Sequence, residues 1–189
     1  MKKREKYGTI IVDNDKHERI EVINSREQAE VEDILKQFKK IKTVTRDFSI
    51  TYKKAIEATH PKAKQIADRF HIFKNLTEDV GEYMKRTVRE RIKIMNMGVE
   101  INDTKIIFSG KPRRLDSWLK KADSLATPEF TKFTNLLGSD IKAVKNAITY
   151  QQYSNGLTEG FNNKTKVIKR IMYGRCSFDL FRLKILAFN

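Results

Sequence analysis

Residues 41–71 read IKTVTRDFSITYKKAIEATHPKAKQIADRFH, and the punctuation of this stretch decides the fold class. Residues 41–45 are short and β-branched, as a strand requires. Ser49 offers a side-chain oxygen to cap a helix reaching about Thr59, with Tyr52, Ala55 and Ile56 turned inward. His60-Pro61 stops that helix, because the residue before a proline is pushed out of the helical region. Residues 63–67, AKQIA, then read as a second short strand. Asp47 follows the first strand and Asp68 the second, so each strand ends on a carboxylate.

Moving outward toward the N-terminus, YGTIIV at residues 7–12 and the alternating RIEVI at 19–23 flank Asp13-Asn14-Asp15 and predict a β-hairpin. Ser25 with Gln28 forms an S-x-x-Q capping box opening a helix whose apolar side is Ala29, Val31, Ile34, Leu35 and Phe38. The order β-β-α-β-α-β predicts an α/β fold: a mixed sheet with helices on its faces.

Toward the C-terminus the period becomes helical from Phe70 to about Met95 and breaks at residues 96–98. Residues 99–114 are open between a short strand, at Ile106-Ile107-Phe108, and a buried turn. Leu115 to Ala122 reads as helix and holds the single tryptophan, Trp118. Thr127-Pro128-Glu129 predicts an N-cap with proline at the first helical position, starting a helix to about Leu137. Ser139 is expected to cap another, to about Tyr150. The division that follows is a β/α half at 1–75, a helical insertion at 76–150 and a C-terminal helical part at 151–189. The last part opens with YSNGLTEGFNNKTKVIKR, residues 153–170: a turn signal, the lone carboxylate Glu159, two asparagines and four lysines or arginines.

The whole chain has 189 residues, with Lys+Arg 39 against Asp+Glu 24, a formal net charge of +15. Such an excess favours a polyanionic partner, nucleic acid or an anionic membrane surface, over an acidic one. No apolar run approaches the roughly 18 residues that span a bilayer, and MKKREKYG lacks the apolar core of a signal peptide, which predicts an intracellular protein with no membrane partner. Cys176 is the only cysteine, so an internal disulfide and a cysteine-cluster metal site are excluded. Its aromatic neighbours suggest a buried, inert thiol.

Carboxylates beside positive charge suit phosphodiester chemistry. Mg²⁺ prefers hard oxygen ligands, and enzymes that cut or join phosphodiesters hold two such ions about 3.5–4 Å apart with a few aspartates and glutamates. Asp47 sits at a strand end, where ligands gather in open α/β sheets. Taken alone, an aspartate there is more often a helix cap or turn former. Asp68 and His71, spaced D-x-x-H, are compatible with metal ligation and equally with a cap beside a packed histidine.

Together these residues become recognisable. VTRDFSITYKKAIEATHPKAKQIADRFHIFKNL at 44–76, and YSNGLTEGFNNKTKVIKRIMYGRCSFDLFRLKILAF at 153–188, resemble the DDE transposases of bacterial insertion sequences. The similarity is to the ISL-type family, related to the Mutator-like transposases, and covers nearly the whole chain from Tyr7. It implies an RNase H-like fold interrupted by a helical insertion before a C-terminal catalytic helix. It further implies hydrolysis at transposon ends followed by strand transfer, with Mg²⁺ or Mn²⁺ as cofactor and DNA, both transposon ends and target, as partner. The second catalytic aspartate of the family falls on Asp47 and the catalytic glutamate on Glu159, the two expected metal ligands. Asp68 and His71 occupy the place of a near-site D-x-x-H motif. The helical insertion accounts for the long separation of Asp47 from Glu159. A cytoplasmic, nucleoid-associated location goes with this resemblance.

Expected DNA contacts are Asn155, Asn162, Asn163, Lys164, Lys166, Lys169 and Arg170 in the C-terminal segment, with Lys111, Arg113, Arg114 and Trp118 in the insertion. A core position for Trp118 and a solvated face for the basic residues are the plainer alternatives, and Ile171, Phe178, Phe181, Leu183, Ile185 and Leu186 are expected to pack the core. The sequence also departs from the family. The first catalytic aspartate belongs on a strand just upstream of KYGTIIVD, and only MKKREK precedes Tyr7 here. A truncated family enzyme is therefore expected, binding DNA without cutting it and open to self-association through an unfilled sheet edge. A non-catalytic DNA-binding regulator and a transposase remnant are the alternatives.

Overall fold

The computed structural model describes residues 8–87, 113–173 and 175–188. Among these the architecture is mixed α/β, rich in helix and poor in sheet: β1 (Thr9–Asp13), β2 (Glu18–Ile23), α1 (Gln28–Leu35), β3 (Thr43–Arg46), α2 (Ile50–Thr59), β4 (Lys64–Ala67), α3 (Arg69–Thr87), α4 (Arg113–Ser124), α5 (Pro128–Ser139), α6 (Ile141–Thr149), α7 (Gly156–Ile171) and α8 (Phe178–Ala187). The chain divides into two compact units. One comprises Met1–Lys42, Ser49–Ala63 and Ser154–Asn189; the other comprises Thr43–Phe48 and Lys64–Tyr153.

In the first unit β1 and β2 form the expected antiparallel hairpin, with an irregularity between Ile11 and Val12 that adds local twist. Its turn consumes a carboxylate. Asp13 Oδ1 accepts the amides of Asp15 and Lys16, and His17 adopts a left-handed φ of 59°. Gly8 is needed at the hairpin's start, since a Cβ there would meet the Ile23 carbonyl oxygen at 2.6 Å. Helices α1 and α2 pack together, with Val31, Leu35, Ala55 and Ile56 buried. Helix α8 packs on β2 and buries Ile185.

The helix starts both follow and correct the expectations. Ser49 caps α2 by accepting the Tyr52 amide, and His60 ends it. Ser25 does not cap α1: its Oγ takes the Glu27 amide, closing a local turn, so the helix begins only at Gln28. It also stops at Leu35, before Phe38. Ser139 is the last residue of α5 and donates back to the Leu136 carbonyl, while Asp140 precedes α6. Pro128 opens α5 as expected.

In the second unit β3 and β4 pair in parallel, Thr43 with Lys64 through Arg46 with Ala67. Instead of one mixed sheet, the described residues form two two-stranded ones, β1-β2 and β3-β4. No strand among the described residues pairs with both, and without such a bridge two ladders cannot merge. The core of this unit is Ile66, Ala67 and Ile72 with Leu115, Phe133, Leu137, Ala143, Val144, Ala147 and Ile148 from the helices. The strand pair is four residues long, so its burial depends on α6, which packs against β4. Helix α3 packs on α5, where the buried Asp79 carboxylate accepts Lys132 Nζ at 2.8 Å. The expected end of α3 near Met95 and the ambiguous Ile106-Ile107-Phe108 lie outside the described residues.

Two apolar expectations fail. Ile171 and Leu183, read as core, are 66% and 61% exposed. Each lies between one exposed basic residue and one half-buried neighbour, Arg170 and Met172 for Ile171, Lys184 and Arg182 for Leu183, so the local composition conceals which way it faces.

Candidate metal and nucleic-acid site

Residue pairing in β3-β4 determines what stands at the strand ends. Arg46 pairs with Ala67, so Asp47 and Asp68 each lie one residue past the last pair, at the same end of two adjacent parallel strands. The Asp68 amide donates to the Arg46 carbonyl at 2.8 Å, extending the ladder to that point. Asp47 is half-buried, and Phe48 behind it packs on the core. Among the candidate site residues, this unit places Asp47 and Asp68 at one end of the strand pair and His71 beside Asp68.

Asp68 already has local work. Its Oδ1 accepts the Phe70 amide at 3.0 Å and its main-chain oxygen accepts the Ile72 amide, so it starts α3. His71 lies one turn on, its Nε2 3.8 Å from Asp68 Oδ2 and its ring edge-on to Phe70. The carboxylates present hard oxygen donors of the kind Mg²⁺ and Mn²⁺ take. Among the described residues no group of three or more His, Cys, Asp or Glu side chains gathers to hold an ion.

The glutamate and the basic residues belong to the first unit. Ser154 Oγ accepts the Gly156 amide, shaping the turn, and the Asn155 carbonyl accepts the Glu159 amide as α7 begins. Glu159 is exposed in the first helical turn, with Lys169 and Arg170 in the last, an arrangement that suits the helix dipole at both ends. Steps of three, four and seven residues put Glu159, Asn162, Asn163 and Lys166 on one side of α7, continued by Lys169 and Arg170. All are exposed, and Lys166 Nζ reaches Asn163 Oδ1 at 3.4 Å. Lys164 is exposed as well, and its ammonium sits 5.4 Å from the centre of the buried Phe161 ring.

The other candidates are dispersed. Arg114 is exposed near the start of α4, Arg113 is that helix's first residue, and Lys111 lies outside the described residues. Trp118 packs against its unit's core and meets Phe133 edge-to-face, with centroids 5.9 Å apart. Cys176 is a free, half-buried thiol.

Sequence reasoning missed the group behind Asp47. Arg46 is 5% exposed and donates from Nε to Gln65 Oε1 at 2.6 Å and from NH1 to the Asp47 carbonyl at 2.8 Å, while NH1 lies 2.6 Å from Asp140 Oδ2. An arginine in an otherwise β-branched four-residue strand was the available signal. Its carboxylate partner, far along the chain, was not visible.

A protein-family model described as a transposase, that of the ISL3-type DDE enzymes, matches residues 1–113 and 108–185. The chain belongs to this DDE transposase family. Comparisons with curated proteins and with solved structures give no match. Among the described residues no helix is long and apolar enough to cross a membrane.

Proposed function

We propose that this chain carries the DNA-processing part of an insertion-sequence transposase, built on an RNase H-like frame with the helical segment 76–150 inserted in it. The observation that carries the reading is the family match over both the T-R-D strand and the glutamate-bearing helix α7. Asp47 and Glu159 would hold Mg²⁺ or Mn²⁺. When bound, such ions activate an attacking hydroxyl and stabilise a leaving oxygen. The chain's own contribution is to bind and orient DNA. Lys166, Lys169 and Arg170, with Lys164, Lys111, Arg113 and Arg114, neutralise phosphates, and Asn155, Asn162 and Asn163 donate to phosphate or base edges. Trp118, partly buried against its unit's core, is the remaining DNA contact in this reading. Asp68 and His71 act as neighbours that hold the strand end in shape. Self-association fits the same reading, because each two-stranded sheet has two edge strands.

The test uses the full chain with a supercoiled plasmid carrying insertion-sequence ends, in Mg²⁺ and in Mn²⁺. Metal-dependent nicking or joining that is lost in both Asp47→Asn and Glu159→Gln supports the pair as catalytic. Activity retained in either variant removes that residue from the role. Salt-sensitive DNA binding with no nicking in any form would instead favour a non-catalytic DNA-binding regulator. Replacing Lys166, Lys169 and Arg170 by alanine should flatten the log–log salt dependence of binding, by about 0.9 for each phosphate that is no longer neutralised.

A further inference from the structure

We propose that Arg46 is a positioning residue for Asp47, and that Asp140, at the start of α6, sets Arg46 for this task. The inference rests on the reading of Asp47 as a metal ligand.

Three contacts converge on one buried guanidinium. The Asp140 carboxylate neutralises it at 2.6 Å, Gln65 from the neighbouring strand accepts from Nε, and NH1 donates to the main-chain oxygen of Asp47. The last contact fixes the peptide plane that leaves Asp47, and with it the direction of that residue's backbone. Arg46 also acts through its own carbonyl, which accepts the Asp68 amide. A single residue therefore ties down the chain at both strand-end aspartates.

Asp140 is placed for Arg46 rather than for its own helix. It precedes Ile141 with no side-chain cap hydrogen bond, which is the usual duty of an aspartate at that position. Helix α6 is held to the same strand a second time by Asn146 Nδ2, which donates to the Gln65 carbonyl at 2.8 Å. Gln65 is thus gripped at its main chain by α6 and at its side chain by Arg46. The helix and the end of β3 form one hydrogen-bonded block.

Stability alone is a poor explanation for this arrangement. Side-chain exposures of 4% and 8% mean that both ions have left water, and such pairs are often replaced by apolar residues of similar volume at little cost. What an apolar pair cannot supply is a donor to the Asp47 carbonyl. Lysine cannot supply it together with the other two contacts, because it lacks the planar fork that serves Nε and NH1 partners at once. Ligand geometry at metal sites tolerates only small errors, and the groups that orient ligands influence affinity nearly as strongly as the ligands themselves.

The test compares four forms of the full chain: wild type, Asp47→Asn, Arg46→Lys and the double variant Arg46→Met/Asp140→Leu. Three quantities are measured: melting temperature, Mn²⁺ affinity by electron paramagnetic resonance, and the Asp47 carboxyl ¹³C shift without metal. The double variant removes both buried charges and so should melt within a few degrees of wild type, yet bind Mn²⁺ about 10–100-fold more weakly. Arg46→Lys should fail to restore that affinity. A double variant that folds and binds Mn²⁺ as wild type does overturns the proposal. If Mn²⁺ binding is absent or indifferent to Asp47→Asn, the ligand reading of Asp47 fails. The carboxyl shift then decides positioning by itself: displacement in the double variant supports it and an unmoved signal overturns it.

Discussion

Two strands of this chain each bury an arginine, one in each unit, and the surroundings of the two differ. Arg19 on β2 is 2% exposed, lies 4.8 Å from the centre of the Phe161 ring and donates to the Phe188 carbonyl. Burial lowers its pKa from the ordinary arginine value. Arg46 on β3 faces a buried carboxylate, an amide oxygen and the carbonyl of its own neighbour. The contacts of Arg19 reach α7 and the end of α8, so they fasten helices to a hairpin. Those of Arg46 end on Asp47 and Asp140, so they fasten the point where β3 stops. A buried guanidinium can thus serve either assembly or local geometry, and its partners tell which.

The largest expected effect breaks this contrast at Arg46. Arg46→Met by itself strips the guanidinium from a buried carboxylate, which should cost about 3–5 kcal/mol. At roughly 2–4 °C per kcal/mol for a chain of this size, melting should fall by about 10 °C. A fall of under two degrees would mean that the pair is solvated in solution. Phe161→Leu comes next. It keeps most of the apolar volume but removes the ring beneath Arg19 and Lys164, at an expected cost of about 1–2 kcal/mol. Amide exchange should quicken in α7 and leave α6 unchanged; equal quickening in both would refute separate roles for the two arginines.

The smallest effect concerns the neighbouring pair on the same strand as Arg19. Arg182 donates from Nε and NH2 to the two Glu21 oxygens, both at 2.5 Å, and this bond holds the Glu21 pKa below the ordinary carboxylate value. Depression means that the stabilisation is fully present above the ordinary range and disappears as pH falls through the folded-state value. Arg182 is 37% exposed, so the contribution is within about 1 kcal/mol. Glu21→Gln should therefore lower melting slightly near neutral pH and converge with wild type in acid. Parallel profiles over the acid range would assign the pH dependence elsewhere.

These comparisons also mark what the sequence could reveal. Local signals were reliable where a side chain acts on its own neighbourhood. Ser49 caps α2, His60-Pro61 ends it, and Asp13 closes the hairpin turn. They misled where an equally local alternative won, as when Ser25 spent its oxygen on the Glu27 amide. Strand assembly was legible only in part, because pairing is decided between segments and two separate ladders satisfy the same strand order as one sheet. At the candidate site, Asp47 and Glu159 were marked by motif. The Arg46–Asp140 pair was not, since charge complementarity between distant positions leaves no periodic trace. Ile171 and Leu183 show the converse, apolar residues whose exposure only tertiary structure discloses.

The pairing of Glu21 with Arg182 spans a sequence separation of 161 residues, and this has a consequence for how the protein is made. At roughly 5–20 residues per second, about ten to thirty seconds separate the emergence of β2 from that of α8. All of Thr43–Phe48 and Lys64–Tyr153 leaves the ribosome within that interval. The unit holding Asp47 can therefore close on itself while the hairpin that precedes it still waits for its covering helix. Nascent chains halted once Tyr150 has cleared the ribosomal exit tunnel should already protect β4 from exchange, with β2 still open to a chaperone.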